Sequence, residues 1–318
     1  MKEFDQYING KWVKSTSTKV TEVLNPCTEE VISIIPEGSV EDANKALDAA
    51  KNAQFGWRSM TAIERAGYLH KMASVIRENR VFLAKTLAAE QAKVMSLAQV
   101  EIDVTADYFD YYAGWARRIE GEIIQSDRKK EHIFLHKSPI GTAVGILPWN
   151  FPFFVMARKV AASLITGNTC VIKPSCIAPV TILEWVKLID KIQLPAGVLN
   201  MVCGTGPVVG NALSKNPITG IISLTGSVMA GQKVMEAAAA NITKVSLELG
   251  GKAPAIVCAD ANLELAVNAV VTSRIIYSGQ VCNCAERVYV EDKIHDQFME
   301  MVTKKMQQVN VQDAFSKD

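Results

Sequence analysis

Two segments of this 318-residue chain combine a reactive side chain with glycines that could bring it to a surface. The first is Ser278-Gly279-Gln280-Val281-Cys282-Asn283-Cys284-Ala285. Gly279 permits a sharp turn that would expose one thiol, as a nucleophilic cysteine requires. Two other readings stay open, a pair of buried inert thiols and a Cys-x-Cys metal site. The metal reading lacks ligands, because His295 is the only histidine nearby and no second cysteine pair exists, so no metal is expected. The second segment is Val245-Ser246-Leu247-Glu248-Leu249-Gly250-Gly251. As a strand it turns Val245, Leu247 and Leu249 to one face, and Ser246 and Glu248 to the other. Glu248 is then either a general base, carried to a cleft by the bend its two glycines allow, or an ordinary exposed glutamate.

Two turns could hold phosphate. Gly204-Thr205-Gly206-Pro207-Val208-Val209-Gly210 follows the apolar run VLNMVC and opens a helix. It approximates a dinucleotide fingerprint, but its third glycine is one place late and Pro207 sits inside it; a plain glycine-rich turn fits equally well. Thr225-Gly226-Ser227 ends a strand and begins a helix, whose first N–H groups can receive a phosphate; the alternative is a simple helix cap by Ser227. His70, His132, His136 and His295 all lie in charged surroundings and read as surface residues, which leaves a serine or cysteine hydrolase without a histidine base. The seven cysteines are odd in number and scattered, so no disulfide framework is expected and a reducing cytoplasm fits best. Apart from Cys282 and Cys284 they read as small hydrophobes.

The elements that must position these residues follow from pattern. Basic and acidic residues number 34 and 33, and the net charge of +1 provides no field for nucleic acid or an anionic membrane. With 49% hydrophobic residues the chain is globular and of about two-domain size. The opening MKEFDQYINGKWVK is too polar for a signal peptide. The uncharged run 138–157 has membrane-span length, but Pro139, Pro148, Pro152, Gly141 and Gly145 break it into strand, loop and helix start. Residues 1–36 read as short strands, with turns at Asn9-Gly10 and Asn25-Pro26. Helical spacing marks 40–54, 61–79 and 97–118, the middle one through Ile63, Ala66, Leu69, Met72 and Ile76. A polar, strand-like stretch at 119–138 predicts a protruding hairpin. From Gly141 to Leu249 short apolar runs alternate with helical stretches, the signature of a doubly wound parallel sheet. PAIVC, a helix near 262–276, a strand near 285–291 and a helix near 293–308 start a second α/β unit.

Five motifs in order, Leu147-Pro148-Trp149-Asn150-Phe151-Pro152, Lys173-Pro174-Ser175, Thr225-Gly226-Ser227, Glu248-Leu249-Gly250-Gly251 and Gly279-Gln280-Val281-Cys282, resemble the aldehyde dehydrogenase superfamily along the whole chain. TADYFDYYAGWARRIEGEIIQSDR and SGQVCNCAERVYV look closest to its lactaldehyde and glycolaldehyde branch. The resemblance implies an α/β fold: a doubly wound parallel-sheet dinucleotide-binding domain at 1–118 and 139–250, an oligomerisation hairpin at 119–138, and an incomplete α/β catalytic domain at 251–318. It implies Cys282 as nucleophile, Glu248 as the base that activates water, and the Asn150 amide with the Cys282 N–H as oxyanion hole. NAD, or NADP, would contact Ile146, Leu147, Pro148, Trp149, Lys173, Ser175, Gly206, Gly210, Thr225, Gly226, Ser227, Leu249 and Gly250. A small aldehyde would meet Phe151, Phe154 and Arg158, and the family assembles as homo-oligomers.

Three features depart from the family pattern. Cys176 stands where a carboxylate usually pairs with the adenosine ribose, which loosens the expected preference for NAD over NADP. Arg158 stands where an aromatic commonly lines an apolar tunnel; a guanidinium two helical turns beyond Asn150 suits a substrate with oxygen beside the aldehyde, while a plain solvent-facing arginine is the alternative. Family members also continue beyond Asp318 with the rest of the catalytic domain, a glutamate for the nicotinamide ribose and the terminal strand that joins subunits. Two functions are therefore expected to compete: NAD(P)-dependent oxidation of a short hydroxyaldehyde through a cysteine thioester, and a catalytically incompetent chain that only binds dinucleotide or associates with intact subunits.

Overall fold

A computed structural model describes residues 2–315, and the chain divides into one unit ending at Glu248 and a second beginning at Leu249. The first unit opens with β1 (Lys2–Glu3), β2 (Gln6–Ile8), β3 (Lys11–Val13), β4 (Val20–Leu24) and β5 (Val31–Pro36). β2 and β3 form the expected hairpin, with Asn9 and Gly10 at φ of 55° and 74°. α1 (Val40–Ser59), α2 (Ala62–Glu78), α3 (Arg80–Gln91) and α4 (Met95–Ala113) follow. Ser39 with Asp42, and Thr61 with Glu64, satisfy the first N–H groups of α1 and α2 reciprocally. In α2 the expected stripe is buried at Ala66, Leu69, Met72 and Ile76, but Ile63 in the first turn is 47% exposed. α3 was not anticipated. Only Asn79 separates it from α2, and neither Gly nor Pro marks the break.

β6 (Glu122–Gln125) and β7 (His132–Leu135) are the antiparallel hairpin expected at 119–138, exposed along its whole length. Then come β8 (Thr142–Ile146), α5 (Pro152–Ile165), β9 (Thr169–Lys173), α6 (Val180–Ile189), β10 (Leu199–Met201), α7 (Asn211–Lys215), β11 (Thr219–Thr225), α8 (Val228–Ala239) and β12 (Lys244–Glu248). They build one sheet of order β12-β11-β8-β9-β10-β2-β3, parallel from β12 through β10. β8 and β9 are buried almost throughout, which is why they read as unbroken apolar runs. The chain winds outward from β8 to β10 and then returns to β11 on the other side of β8. That reversal opens a crevice at the carboxyl ends of β8 and β11.

The second unit holds β13 (Pro254–Val257), α9 (Leu263–Ile275), β14 (Arg287–Val290) and α10 (His295–Met306), with β13 and β14 parallel. Val257, Val267, Val271 and Phe298 form its small core. Among the described residues no helix is long and apolar enough to cross a membrane.

One buried carboxylate ties two helices of the first unit together. Glu90, at the end of α3, accepts from the N–H groups of Val180 (2.7 Å) and Thr181 (3.0 Å) and from the Thr181 hydroxyl, and so closes the start of α6. Burial pushes its pKa up to about 7 from 4.5, against the pull of these hydrogen bonds and with a further push from Glu101. A carboxyl held above its unfolded value stabilises the fold fully below pH 4.5 and loses that contribution as pH rises through about 7. Over that window the loss is roughly 3 kcal/mol. Glu90→Gln should therefore flatten the decline in stability between these pH values, measured by denaturant unfolding at each pH.

Candidate active site

The crevice at the strand ends of the first unit has a volume of about 680 Å³. Its floor is made by Ile146, Lys173 and Leu224, from the ends of three adjacent strands. One wall comes from Gly206 and Gly210, the other from Met229, Lys233 and Val234 of α8. Four of the residues expected to contact cofactor, Ile146, Lys173, Gly206 and Gly210, thus share one cavity. The helix after Thr225-Gly226-Ser227 was expected to receive phosphate, but Met229, Lys233 and Val234 of that wall were not singled out. Lys173 is buried, donates to Pro174 O at 3.0 Å, and is shifted downward in pKa by burial, against the pull of Cys176 and Cys203. Cys176 is half-buried and donates to Gly204 O at 3.2 Å. Ser175 closes a short turn by accepting from Ile177 N–H.

At the α8 end, Ser227 accepts from Ala230 N–H at 3.1 Å and is a helix cap. Gly226 N–H donates to Glu248 O at 3.0 Å, and Thr225 pairs with Glu248 in register. Leu147 N–H reaches Lys173 O at 3.0 Å, which fixes the start of the loop carrying Pro148, exposed Trp149 and Asn150. Asn150 Oδ1 accepts from Phe151 N–H at 3.0 Å, so the amide's NH2 is the end able to meet a developing negative oxygen. Gln91 of α3, Lys93 just after it and Glu101 of α4, which grip this loop and the start of α5, were missed; Glu101 stands on the buried stripe of α4 with Ala98, Ile102 and Thr105, a periodicity signal for a buried charge.

Glu248 ends an edge strand on which Val245 and Leu247 are the more buried face, as alternation requires. Arg158 Nη2 lies 3.9 Å from Glu248 Oε1, and both side chains are substantially exposed. Beside Arg158, Lys159 is buried and donates to the hydroxyls of Ser223 (2.8 Å) and Thr225 (3.1 Å). Burial, reinforced by Arg158, lowers its pKa to about 8. Phe154 meets the Tyr108 ring edge-on at 5.3 Å, and Tyr108 meets Tyr112 at 5.1 Å. Burial, and then a hydrogen bond with Tyr108, raises the Tyr112 pKa to about 12, against the pull of Arg158. The tyrosines were not singled out in the sequence.

In the second unit Cys282 is exposed and Cys284 is buried, donating to Gly279 O at 3.2 Å. Tyr277, Ser278 and Gly279 all have positive φ (47°, 54° and 76°), so the backbone reverses tightly just before Cys282. A Cβ on Gly251 would sit 2.7 Å from Cys282 O, so the bare glycine is what admits the cysteine's backbone there. Leu249 and Gly250 precede it and belong to this unit. All seven cysteines are free. Cys170 and Cys203 are buried as expected for small hydrophobes, but Cys27 and Cys258 are exposed: one lies in the turn after β4 and the other just beyond β13, where no core covers them. All four histidines are exposed.

A parallel sheet with a cleft of this size at its winding reversal is the architecture of a dinucleotide-binding protein. The chain belongs to the aldehyde dehydrogenase family, which matches it over residues 12–318. Lactaldehyde dehydrogenase of Escherichia coli is 55% identical over 303 residues, 95% of this chain and 63% of that protein. A crystal structure of lactaldehyde dehydrogenase from Escherichia coli aligns with a TM-score of 0.98 at 53% identity, over 99% of this chain and 66% of that one. The structure of 3,6-anhydro-L-galactose dehydrogenase in complex with NADP gives 0.96 at 39% identity, over 99% and 66%. The chain thus spans about two thirds of the length of these relatives.

Exposure predicts which thiols are alkylated. Iodoacetamide should modify the exposed Cys282, Cys27 and Cys258, and should spare the buried Cys284 together with Cys170 and Cys203, whose thiols burial pushes up to about 12. Gly251→Ala should change the Cys282 rate severalfold and leave Cys27 unaffected. Peptide mapping of the folded protein over time decides both; faster labelling of Cys284 than of Cys282 would refute the assignment.

Proposed function

We propose that the protein oxidises a short hydroxyaldehyde, of the lactaldehyde or glycolaldehyde kind, to its carboxylic acid with NAD or NADP. The observation that carries this is an exposed Cys282 in a chain that the aldehyde dehydrogenase family matches almost from end to end. The crevice fits the adenosine half of the cofactor: about 680 Å³, with apolar Ile146, Leu224 and Val234 for a flat ring and Lys173 and Lys233 for hydroxyl or phosphate oxygens. Thr225, Gly226 and Ser227 stand at the start of α8, where its dipole favours the pyrophosphate. Cys176 adds no negative charge against a 2′-phosphate, which leaves NADP admissible.

The chemistry assigned to the chain's own groups balances. The Cys282 thiolate forms an S–C bond with the aldehyde carbon, and the carbonyl electron pair moves to oxygen. The Asn150 NH2 and the Cys282 N–H donate to that oxygen, where the charge develops. When bound, the nicotinamide supplies the acceptor for the hydride that leaves the same carbon. The oxygen pair re-forms the carbonyl, leaving a thioester on Cys282. Glu248 takes a proton from water as it adds to the thioester, the C–S bond breaks, and the acid departs. Phe151 and Phe154 bound the aldehyde, and Arg158, 3.9 Å from Glu248, recognises an oxygen beside it.

The free cysteines suit a reducing cytoplasm. The β6–β7 hairpin exposes Ile123 and Phe134 and suits pairing with further copies of the chain.

Steady-state NADH formation tests the reading. Cys282→Ser should abolish it, and Arg158→Leu should lower kcat/KM for lactaldehyde at least about tenfold more than for propanal, the scale of a lost charged hydrogen bond. Turnover surviving Cys282→Ser would refute the mechanism, and equal losses on the two aldehydes would refute the specificity.

A further inference from the structure

The loop carrying Asn150 is held by side chains from two other elements. Lys93, between α3 and α4, and Glu101, on α4, form an ion pair with no exposed side-chain surface. Lys93 Nζ also donates to Asn150 O at 2.7 Å and lies 3.8 Å from the centroid of the Phe151 ring. The second carboxylate oxygen of Glu101 accepts from Phe153 N–H (3.0 Å) and Phe154 N–H (3.1 Å). Those are first-turn donors of α5. Phe151 before the helix gives no side-chain cap and Pro152 has no N–H, so Glu101 does from a distance what a capping residue does locally. Gln91 Nε2 donates to Trp149 O, so the backbone is gripped on both sides of Asn150.

Stability is a poor reason for such a pair. Burying two charges costs several kcal/mol each, and apolar residues of similar volume often replace a buried pair without loss. What apolar residues could not do is bond to Asn150 O and to two adjacent N–H groups at once.

We propose that the Lys93–Glu101 pair is the positioning device for Asn150, setting the place of its amide through the backbone on both sides. This rests on the oxyanion role given to Asn150 above. Lys93 and Glu101 touch neither substrate nor reacting atoms, so they act as positioning residues. A displacement of about 1 Å in such a donor can cost up to about a hundredfold in rate.

The test is the double substitution Lys93→Met with Glu101→Gln, which removes both charges and keeps an acceptor for the Phe153 and Phe154 N–H groups. Expected are a folded protein, faster amide exchange over residues 149–154, a kcat at least about tenfold lower with the aldehyde KM and NAD affinity little changed, and no further loss when the pair is added to Asn150→Ala. Unchanged kcat or unchanged exchange in the folded variant overturns the proposal, as does a loss just as large in the Asn150→Ala background. Full turnover by Asn150→Ala alone would remove the oxyanion role and this inference with it; the exchange data would still show whether the pair holds the loop, which separates the two failures. Should the double variant not fold, Lys93→Arg keeps the charge and moves the donor; a normal kcat in it would equally overturn the proposal.

Discussion

The burial of β8 and β9 on both faces is the constraint from which the rest of the first unit follows. A parallel pair so enclosed has no room for unpaired polar groups along its length. Polar function is displaced to the carboxyl ends, and the ladder registers bring those ends to one edge: Ile146 beside Lys173, Leu224 beside Ile146, and Thr225 beside Glu248. Every loop of the first unit proposed to bind or react starts within a few residues of that edge. The winding reversal at β8 and β11 then separates the loops enough to leave a cleft.

The same burial makes the remaining internal charges informative. Glu90, Lys93 and Glu101 are desolvated, and each answers for backbone groups at a helix start or in the Asn150 loop. By contrast, the largely solvent-facing Arg77 pairs with Asp107 and Asp110 link α2 to α4 in high dielectric and contribute little, while Arg80 of α3 holds Asp103 of α4 through two half-buried hydrogen bonds. Lys159 is the intermediate case: its chain is buried, its ammonium rests on two hydroxyls, and its neighbours are the proposed base and Arg158.

Much of the fold was legible because its period is strong. The alternation from Gly141 onward predicted the parallel sheet and each of its crossovers, and the Asn9-Gly10 turn set its hairpin. The break between α2 and α3 was not legible, since Asn79 is a weak stop signal and the apolar spacing continues through it. At the candidate site, Thr225-Gly226-Ser227 and Gly279 before Cys282 stood out as recognisable turns, and Asn150 through the family resemblance. The residues that support them did not. Lys93 meets Asn150, and Glu101 meets Phe153, across more than fifty residues of chain, and no local pattern encodes such contacts. Likewise the exposure of Cys27 and Cys258 depends on what fails to cover them, which a single sequence does not record.

The central claim is covalent: carbon is oxidised while bound to the Cys282 sulfur and is released by water that Glu248 activates. Intact-mass and peptide analysis of a Glu248→Gln variant mixed with NAD and glycolaldehyde tests it most directly, because the variant retains the attacking thiol and loses the group that frees it. The account predicts a stoichiometric burst of NADH and an acyl adduct confined to the Cys282 peptide. Sustained turnover with no adduct, or an adduct on another cysteine, would contradict it.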